Sequence, residues 1–276
     1  MSSADIAFIN TCKEILENGT WVKDEGVRPK WEDGTPAYTK KKFGIVNRYD
    51  LEKEFPLITI RPLKLSAAVD EILWIWKKKS NNIHDLGSHI WDLWADETGS
   101  IGKAYGYQLR IKHQYKEGMF DQVDRVLYDL KYNQCSRRIL TNLYNFEDLH
   151  EMALYPCAYS MTFNVTDGRL CAILNQRSQD MLAANAFNVA QYAALIHMFA
   201  QVSGLIPGEF VHVIADAHIY DRHIPIVEEL IRRPVYPAPQ VELDKTITDF
   251  YDFTPESFTV SNYRHGEKIG KIETAI

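Results

Sequence analysis

Residues 159–176 read YSMTFNVTDGRLCAILNQ, and this stretch indicates which class of fold the chain adopts. It consists of two strand-like runs, Tyr159–Val165 and Arg169–Gln176, separated by a turn that contains Asp167 and Gly168. An Asp-Gly pair between two such runs is a strong signal for a β-hairpin, because both residues tolerate the backbone angles of a tight turn. The stretch therefore predicts two antiparallel strands.

Further strands and helices are predicted on both sides of this hairpin. Two more runs read as strands, Ile139–Tyr144 and Phe210–Ile214. Three segments place apolar residues at helical spacing, and they are Leu65–Lys78, Gln122–Lys131 and Asn188–Val202, with Gly204 as the expected stop of the last. Because helices and strands are interspersed without regular βαβ alternation, we predict an α/β fold of the α+β type, a mixed β-sheet covered by helices.

The chain shows no internal repeat or linker, so residues 1–276 are predicted to form a single domain. Neither a G-x-G-x-x-G loop nor a G-x-x-x-x-G-K-[ST] loop is present, which argues against dinucleotide-binding and P-loop folds.

Composition excludes several other classes. With 46% hydrophobic and 25% charged residues, the chain has the mix of a soluble globule and not of a disordered protein. Its apolar stretches, such as Ala193–Met198, are far shorter than the ~20 residues of a membrane span. Residues 1–5 show no secretory pattern, so a cytoplasmic protein is expected. A net charge of −6 argues against general nucleic-acid binding.

Cys157 is a candidate nucleophile. It follows Pro156 just before a predicted strand, and a thiolate is a strong nucleophile where neighbouring cations lower its pKa. The chain has four cysteines without a C-x-x-C pair, and we expect at least three of them to be ordinary buried thiols. On composition alone, a buried structural role is the commoner one for Cys157 as well.

Arginines near strand ends are candidate phosphate ligands, because guanidinium groups and a serine hydroxyl donate well to a phosphate dianion. The candidates are Arg28, Arg137, Arg138, Arg177 and Ser178. For any one arginine taken alone, a surface role is the better explanation, and the two clusters at strand ends favour a functional role only modestly.

Other polar and aromatic residues leave two interpretations open. Asp216, His218 and Tyr220 alternate along a strand and share one face, which suits either a sugar or water. Glu71 borders the apolar stripe of a helix, where a buried carboxylate is costly without a polar partner, or it is exposed. Trp91 offers a surface for stacking, although core packing is the usual role of tryptophan.

Taken together, these segments resemble the thymidylate synthase family over nearly the whole chain. Nine segments match in the order of the family, and they are Phe55–Thr59, Glu71–Trp74, Ile90–Trp94, Tyr105–Gln108, Ser136–Arg138, Met152–Cys157, Gln176–Asp180, Phe187–Val189 and Asp216–Tyr220. The resemblance implies the family's fold and a homodimer packed sheet to sheet.

The resemblance also implies a reaction and its residues. The substrate is dUMP, and 5,10-methylenetetrahydrofolate is the donor of carbon and hydride, without a metal. Cys157 adds to carbon 6 of uracil, and Glu71 and Tyr105 assist removal of the carbon 5 proton. The implied dUMP ligands are Arg28, Arg177, Ser178, Asn188, His218 and Tyr220, with Arg137 and Arg138 from the second subunit. The implied folate ligands are Trp91, Asp180, Phe187 and Ala275 of the C-terminal tail.

Four alanines depart from the family pattern. Ala158 replaces a frequent histidine after the nucleophile, and Ala215 stands where glycine is common. Ala184 and Ala186 lie where the family shows glycine and proline, and Ala184 threatens strain if the backbone there needs a positive φ. Because the nucleophile, the arginines, Asn188 and Asp180 are all retained, an active enzyme is expected.

Three other functions compete with this one. A pyrimidine nucleotide hydroxymethylase shares the scaffold but finishes with water, and Trp91 and the tail argue against it. A nucleotide- or RNA-binding regulator has no need for Cys157, Glu71 and Tyr105 together. A cysteine hydrolase predicts a histidine near Cys157 in space.

Overall fold

A computed structural model describes residues 1–24 and 26–276. The six helices in these residues are α1 (Ser3–Asn18), α2 (Leu65–Trp76), α3 (Gly106–Arg110), α4 (Gln122–Tyr132), α5 (Asn185–Val202) and α6 (Ile224–Leu230). The eleven strands are β1 (Thr20–Val22), β2 (Thr39–Asp50), β3 (His113–Tyr115), β4 (Gly118–Phe120), β5 (Leu140–Asn142), β6 (Ala158–Thr166), β7 (Arg169–Gln176), β8 (Gln179–Asp180), β9 (Ile206–Tyr220), β10 (Gln240–Leu243) and β11 (Phe258–Ser261). Within the described residues, no helix combines the length and apolar character that crossing a membrane requires.

Seven strands form one mixed sheet in the order β1-β2-β9-β7-β6-β5, with β8 alongside β9. The pairs β7–β9 and β8–β9 are parallel, whereas β1–β2, β2–β9, β6–β7 and β5–β6 are antiparallel. The predicted mixed sheet with helices is therefore confirmed. The long strand β9 runs through its middle and carries Asp216, His218 and Tyr220 near its end.

The central hairpin forms as its turn residues predict. Thr166 pairs with Arg169 across a two-residue turn, in which Asp167 has φ 50° and Gly168 has φ 73°. Two successive positive φ angles give a turn whose twist matches that of the strands, and Asp-Gly adopts them at little cost. The hairpin places the start of β6 beside the end of β7, which is where the candidate nucleophile lies.

Helix α5 forms the middle of the core and contacts α2, β7 and β9. It is apolar on nearly all sides, so it is buried rather than amphipathic, as expected for a helix enclosed by other elements. All three predicted helices are present. The last begins at Asn185 instead of Asn188, and Gly204 follows it with φ 67°. Helix α1 and strand β2, which the pattern analysis did not predict, pack against each other at one end of the sheet.

Candidate active site

Cys157 lies in the loop that enters β6, and Arg177 at the end of β7 holds this loop in place. The guanidinium group donates to the carbonyl oxygens of Tyr155, at 2.7 Å, and Pro156, at 3.1 Å. The backbone N–H of Arg177 donates to the carbonyl of Cys157 at 2.9 Å. As a result Nη2 of Arg177 lies 3.8 Å from Sγ of Cys157. The predicted thiol and one predicted phosphate ligand are thus neighbours.

The charge state of Cys157 reflects two opposing influences. Burial raises the pKa of the thiol, while the positive charges of Arg177 and Arg28 and the hydroxyl of Tyr105 lower it. Burial outweighs the cations, so the net pKa is raised, whereas arginines alone would have lowered it. Cys157 is half-buried rather than enclosed in the core.

Tyr105 contacts the same loop from the opposite side. Its hydroxyl oxygen accepts the backbone N–H of Cys157 at 3.0 Å. The residue has φ 45° and ψ −105°, a backbone conformation that costs a tyrosine about 1–3 kcal/mol. The next residue, Gly106, cannot carry a side chain, because a Cβ there would overlap the carbonyl of Ser80. Close packing of these two turns therefore holds the tyrosine at the nucleophile.

Glu71 is buried on α2, with 8% of its surface exposed, and the indole N–H of Trp91 donates to Oε1 at 2.9 Å. The interpretation of Glu71 as an exposed helix residue is therefore wrong. Burial raises the pKa of Glu71 to about 7, and the indole and the neighbouring amide of Gln191 oppose this rise only partly. Trp91 also packs edge-on against Tyr105 with ring centroids 5.2 Å apart, so Glu71, Trp91, Tyr105 and Cys157 form one connected cluster.

Asn188 lies in the first turn of α5 and belongs to a network of side-chain amides. Its Oδ1 accepts from Gln176 at 3.1 Å and from Gln179 at 3.2 Å, and its Nδ2 donates to Gln191 at 3.0 Å. These bonds fix the orientation of the amide, which an asparagine needs in order to read a base edge. The pattern analysis gave the three glutamines no role, and no local motif marks them.

The polar face at the end of β9 forms as predicted. Oδ1 of Asp216 lies 2.9 Å from Nδ1 of His218, and the rings of His218 and Tyr220 pack edge-on with centroids 5.2 Å apart. Burial raises the pKa of Tyr220 to about 12. The tyrosine therefore stays a neutral hydroxyl donor across the physiological range.

Asp180 faces the same region from β8. Its Oδ1 accepts the backbone N–H groups of Leu182, at 2.9 Å, and Ala183, at 3.1 Å. Burial by itself raises the pKa of Asp180, but His223, His218 and the N–H of Ala183 more than offset it, so the pKa is lowered. Asp180 is therefore a charged acceptor. Phe187, in the first turn of α5, is half-buried nearby in sequence and packs against the core.

The C-terminal tail is docked beside the loop of Arg28. Ile276 and Lys30 exchange two backbone hydrogen bonds, of 3.0 and 2.8 Å. Ala275, directly before Ile276, is half-buried. Arg28 itself is exposed, two residues before Lys30. The tail and this candidate phosphate ligand are thus tied to one loop.

Arg137 and Arg138 are not part of this cluster. Both are exposed in the loop before β5, and their guanidinium groups form no ion pair with any described residue. Ser178 is half-buried directly after Arg177. A role for Arg137 and Arg138 at the site therefore requires a second subunit.

Two expectations about individual residues are wrong. Cys12 is buried, but Cys135 is exposed and Cys171 is half-buried, because both lie on surfaces outside the core. Ala184 has φ −113°, an ordinary right-handed value, so its backbone does not carry the strain of a positive φ.

Among the described residues no histidine lies within hydrogen-bonding distance of Cys157, which leaves a cysteine hydrolase without support. Within that same part of the chain, no group of three or more His, Cys, Asp or Glu side chains is arranged for a metal.

The fold and this cluster define a class of enzyme. A half-buried thiol beside a guanidinium group, with a carboxyl group titrating near neutrality behind it, suits covalent attack on an anionic substrate followed by proton transfer. A histidine-assisted hydrolysis does not match this geometry.

Comparison with known proteins identifies the family within that class. The profile of the thymidylate synthase family matches residues 6–276. Thymidylate synthase 1 of Bacillus subtilis strain 168 is 41% identical over 274 residues, and thymidylate synthase of Bacillus licheniformis is 42% identical, with 98% of each chain covered in both cases. The crystallised thermostable thymidylate synthase A from Bacillus subtilis superposes with a TM-score of 0.94 at 40% identity over 99% of each chain. The chain belongs to the thymidylate synthase family and is a one-carbon (methyl) transferase.

Proposed function

We propose that the protein converts dUMP into dTMP by reductive methylation, with Cys157 as the nucleophile and residues 1–276 acting as one catalytic domain. The observation that carries this proposal is the Cys157–Arg177 pair, backed by the connected cluster of Tyr105, Trp91 and Glu71. The family membership supports the choice of substrate, and the contacts around Cys157 support its role as the nucleophile.

Cys157 forms a bond from Sγ to carbon 6 of uracil, and the electron pair of the 5,6 double bond moves toward the carbonyl at carbon 4. This step requires the thiolate, whose pKa burial raises in the free protein. Arg177, whose Nη2 lies 3.8 Å from the sulfur, stabilises the negative charge as the proton leaves. Carbon 5 then carries the nucleophilic character needed for one-carbon transfer.

Methylenetetrahydrofolate, when bound, supplies the one-carbon unit and the hydride. The residues present fit such a group, because Asp180 is a charged acceptor and a pterin ring offers adjacent N–H donors. Trp91 and Phe187 supply aromatic surface beside it, and Ala275 belongs to a tail that covers the site and keeps water out.

Glu71 and Tyr105 assist removal of the carbon 5 proton through ordered water. A base is most effective when its pKa is near the working pH, and the pKa of Glu71 is about 7. Tyr105 stays neutral, because burial raises its pKa well above the ordinary value, and it holds the loop of the nucleophile. When hydride has reached the exocyclic carbon, the C–S bond breaks and Cys157 is released.

Nucleotide recognition divides among three groups of residues. Arg28, Arg177 and Ser178 hold the phosphate, together with Arg137 and Arg138 of a second subunit. Asn188 reads the uracil edge, since its amide can both donate and accept. His218 and Tyr220 bind the ribose hydroxyl at the end of β9.

A homodimer packed sheet to sheet explains two surface features. Val46 on β2 and Ile173 on β7 are 51% and 39% exposed on the sheet, where apolar side chains favour a partner. The guanidinium groups of Arg137 and Arg138 are exposed and unpaired within the described residues, as expected for side chains that reach into a neighbouring subunit.

The decisive experiment follows dihydrofolate by absorbance after dUMP and methylenetetrahydrofolate are mixed with the protein. We expect a rise in the wild type, none with Cys157→Ala, and a product with the mass of dTMP. A main product with the mass of hydroxymethyl-dUMP, or activity that survives Cys157→Ala, would contradict the proposal.

A further inference from the structure

His223 has no role in the chemistry above, yet it lies between Asp180 and the C-terminal tail. Its Nε2 is 2.9 Å from the carbonyl oxygen of Glu273, and its Nδ1 faces Oδ2 of Asp180 at 3.8 Å, an ion-pair distance. The side chain of His223 is 2% exposed, and that of Asp180 is 18% exposed. One buried imidazole therefore lies against both a candidate folate ligand and the C-terminal tail.

The other tail contacts are of a different kind. Arg222 pairs with the Glu273 carboxylate at 3.1 Å, but both groups are well exposed. Exposed ion pairs contribute little, because water screens them and ordering two long side chains costs entropy. The backbone pair between Ile276 and Lys30 lies at the end of the tail. The contact of His223 with the Glu273 carbonyl thus differs from both, because it is a buried polar contact three residues before Ile276.

We propose that His223 is a positioning residue that couples occupation of the folate site to closure of the C-terminal tail. The inference rests on the proposed function, in which Asp180 binds the pterin. As an imidazolium, His223 donates from Nε2 to the Glu273 carbonyl, while Asp180, 3.8 Å from Nδ1, balances its charge at an ion-pair distance. A ligand that keeps Asp180 ionised strengthens the tail contact, and a docked tail in turn favours that ligand.

The surroundings of His223 support the charged form. Asp180 faces it from β8 and Asp221 from the preceding turn, while Tyr220 and Trp31 pack edge-on with centroids 5.6 and 5.4 Å away. Two further charged or titratable groups lie close to these contacts: His218 acts on Asp180, and the exposed Arg222 pairs with the side chain of Glu273. Burial lowers the pKa of His223, but the contacts with Asp180, Glu273 and Asp221 outweigh it, and the net pKa is raised.

The sign of the pH effect follows from this raised pKa. The protonated form is favoured while the tail is docked, so its contribution is complete below the ordinary histidine value of 6.5. It is lost as the pH rises through the higher pKa of the docked state. The tail should therefore become less protected in mildly alkaline solution.

The test measures hydrogen–deuterium exchange of peptide 267–276 as protection factors between pH 6 and pH 9. In the wild type we expect protection to fall about tenfold over this range, which corresponds to ~1.4 kcal/mol. His223→Phe keeps the aromatic packing and should lower protection at every pH. His223→Gln retains a donor for Glu273, so it should rescue protection but show no pH dependence.

Two matched variants separate coupling from simple packing. Asp180→Asn should abolish the pH dependence while His223 is still present. Arg222→Gln, which removes the exposed contact with Glu273, should leave the pH dependence intact. In steady-state assays His223→Phe should raise KM for methylenetetrahydrofolate about tenfold without changing the calorimetric Kd of dUMP.

Equal protection in the wild type and His223→Phe, or a pH dependence that survives Asp180→Asn, would overturn the inference. Exchange is measured on the protein alone, so its outcome does not depend on turnover. If dTMP is not formed but the exchange pattern is as described, the proposed function fails, while the pH-dependent contact of His223 with Asp180 and the tail stands. If dTMP is formed but the pattern is absent, only the inference about His223 fails.

Discussion

Glu71 is a buried and Asp180 a half-buried carboxyl group of the proposed site, and their protonation differs. Burial raises the pKa of both. At Glu71 the opposing contacts are neutral donors, the indole of Trp91 and the amide of Gln191, and the pKa stays near 7. At Asp180 the two histidines His223 and His218 and the backbone N–H of Ala183 oppose burial, and the pKa falls below the ordinary value. The contacts of each carboxyl group, and not its burial alone, decide whether it is charged.

This difference assigns different work to the two residues. A carboxyl group that titrates near neutrality can take up and release a proton during turnover, as the role of Glu71 requires. A carboxylate that stays charged is suited to holding donors in place, as the role of Asp180 requires.

The largest effect is expected from Glu71→Gln in the dihydrofolate assay. The amide still accepts from Trp91 but cannot move a proton, so kcat should fall about 10²- to 10⁴-fold. The residual rate should lose the wild-type limb that rises with pH near 7. A kcat within threefold of the wild-type value would show that Glu71 does not take part in proton transfer.

A smaller loss is expected from Asp180→Asn, and it should appear mainly in folate binding. Replacing a charged acceptor by a neutral one costs about 1.5–3 kcal/mol, or roughly 10- to 150-fold in KM for methylenetetrahydrofolate. The Kd of dUMP, measured by calorimetry, serves as the control. An unchanged KM for the folate with a raised Kd for dUMP would place Asp180 on the nucleotide instead.

Stability should respond to Glu71→Gln in the opposite direction from activity. Because the folded pKa of Glu71 is about 7, against 4.5 in an unfolded chain, the free energy of unfolding falls as the pH rises through this window. The variant avoids this penalty, so chemical denaturation at pH 8 should show a gain of up to about 3 kcal/mol. At pH 4.5 the gain should vanish, and an equal gain at both pH values would point to packing alone.

The smallest effect is expected from Trp91→Phe. Loss of the indole donor removes a contact that favours the ionised form of Glu71, so its pKa should rise by roughly one unit. The rising limb of the kcat profile should move to higher pH by the same amount. A limb that stays in place would show that another group titrates there.

The sequence predicted the parts of this molecule whose signals are local. The β6–β7 hairpin depends on Asp167 and Gly168, whose positive φ angles are a property of the turn itself. Strand β2 was not predicted, because Lys40, Lys41 and Lys42 break the alternation of apolar and polar residues. These lysines find partners elsewhere, such as Asp216 for Lys41. Helix α1 carries Ala4, Phe8, Cys12 and Ile15 on one buried face, a helical periodicity that is visible in the sequence.

The candidate site, too, has features that the sequence predicts and features that only the folded structure reveals. Its residue types were predicted through resemblance to the family, but their charge states depend on contacts distant in sequence. Trp91 reaches Glu71 across 20 positions, and His223 lies 43 positions beyond Asp180 along the chain. No spacing rule connects such residues before the sheet and helices bring them together.

The most direct test of the account compares the two carboxyl groups by isotope-edited infrared spectroscopy between pH 4 and pH 9. We predict a protonated carboxyl band that titrates with a midpoint near pH 7, disappears in Glu71→Gln and persists in Asp180→Asn. A band near pH 7 that instead disappears in Asp180→Asn, or no such band at all, would contradict the assignment of Glu71 as the group that moves the proton.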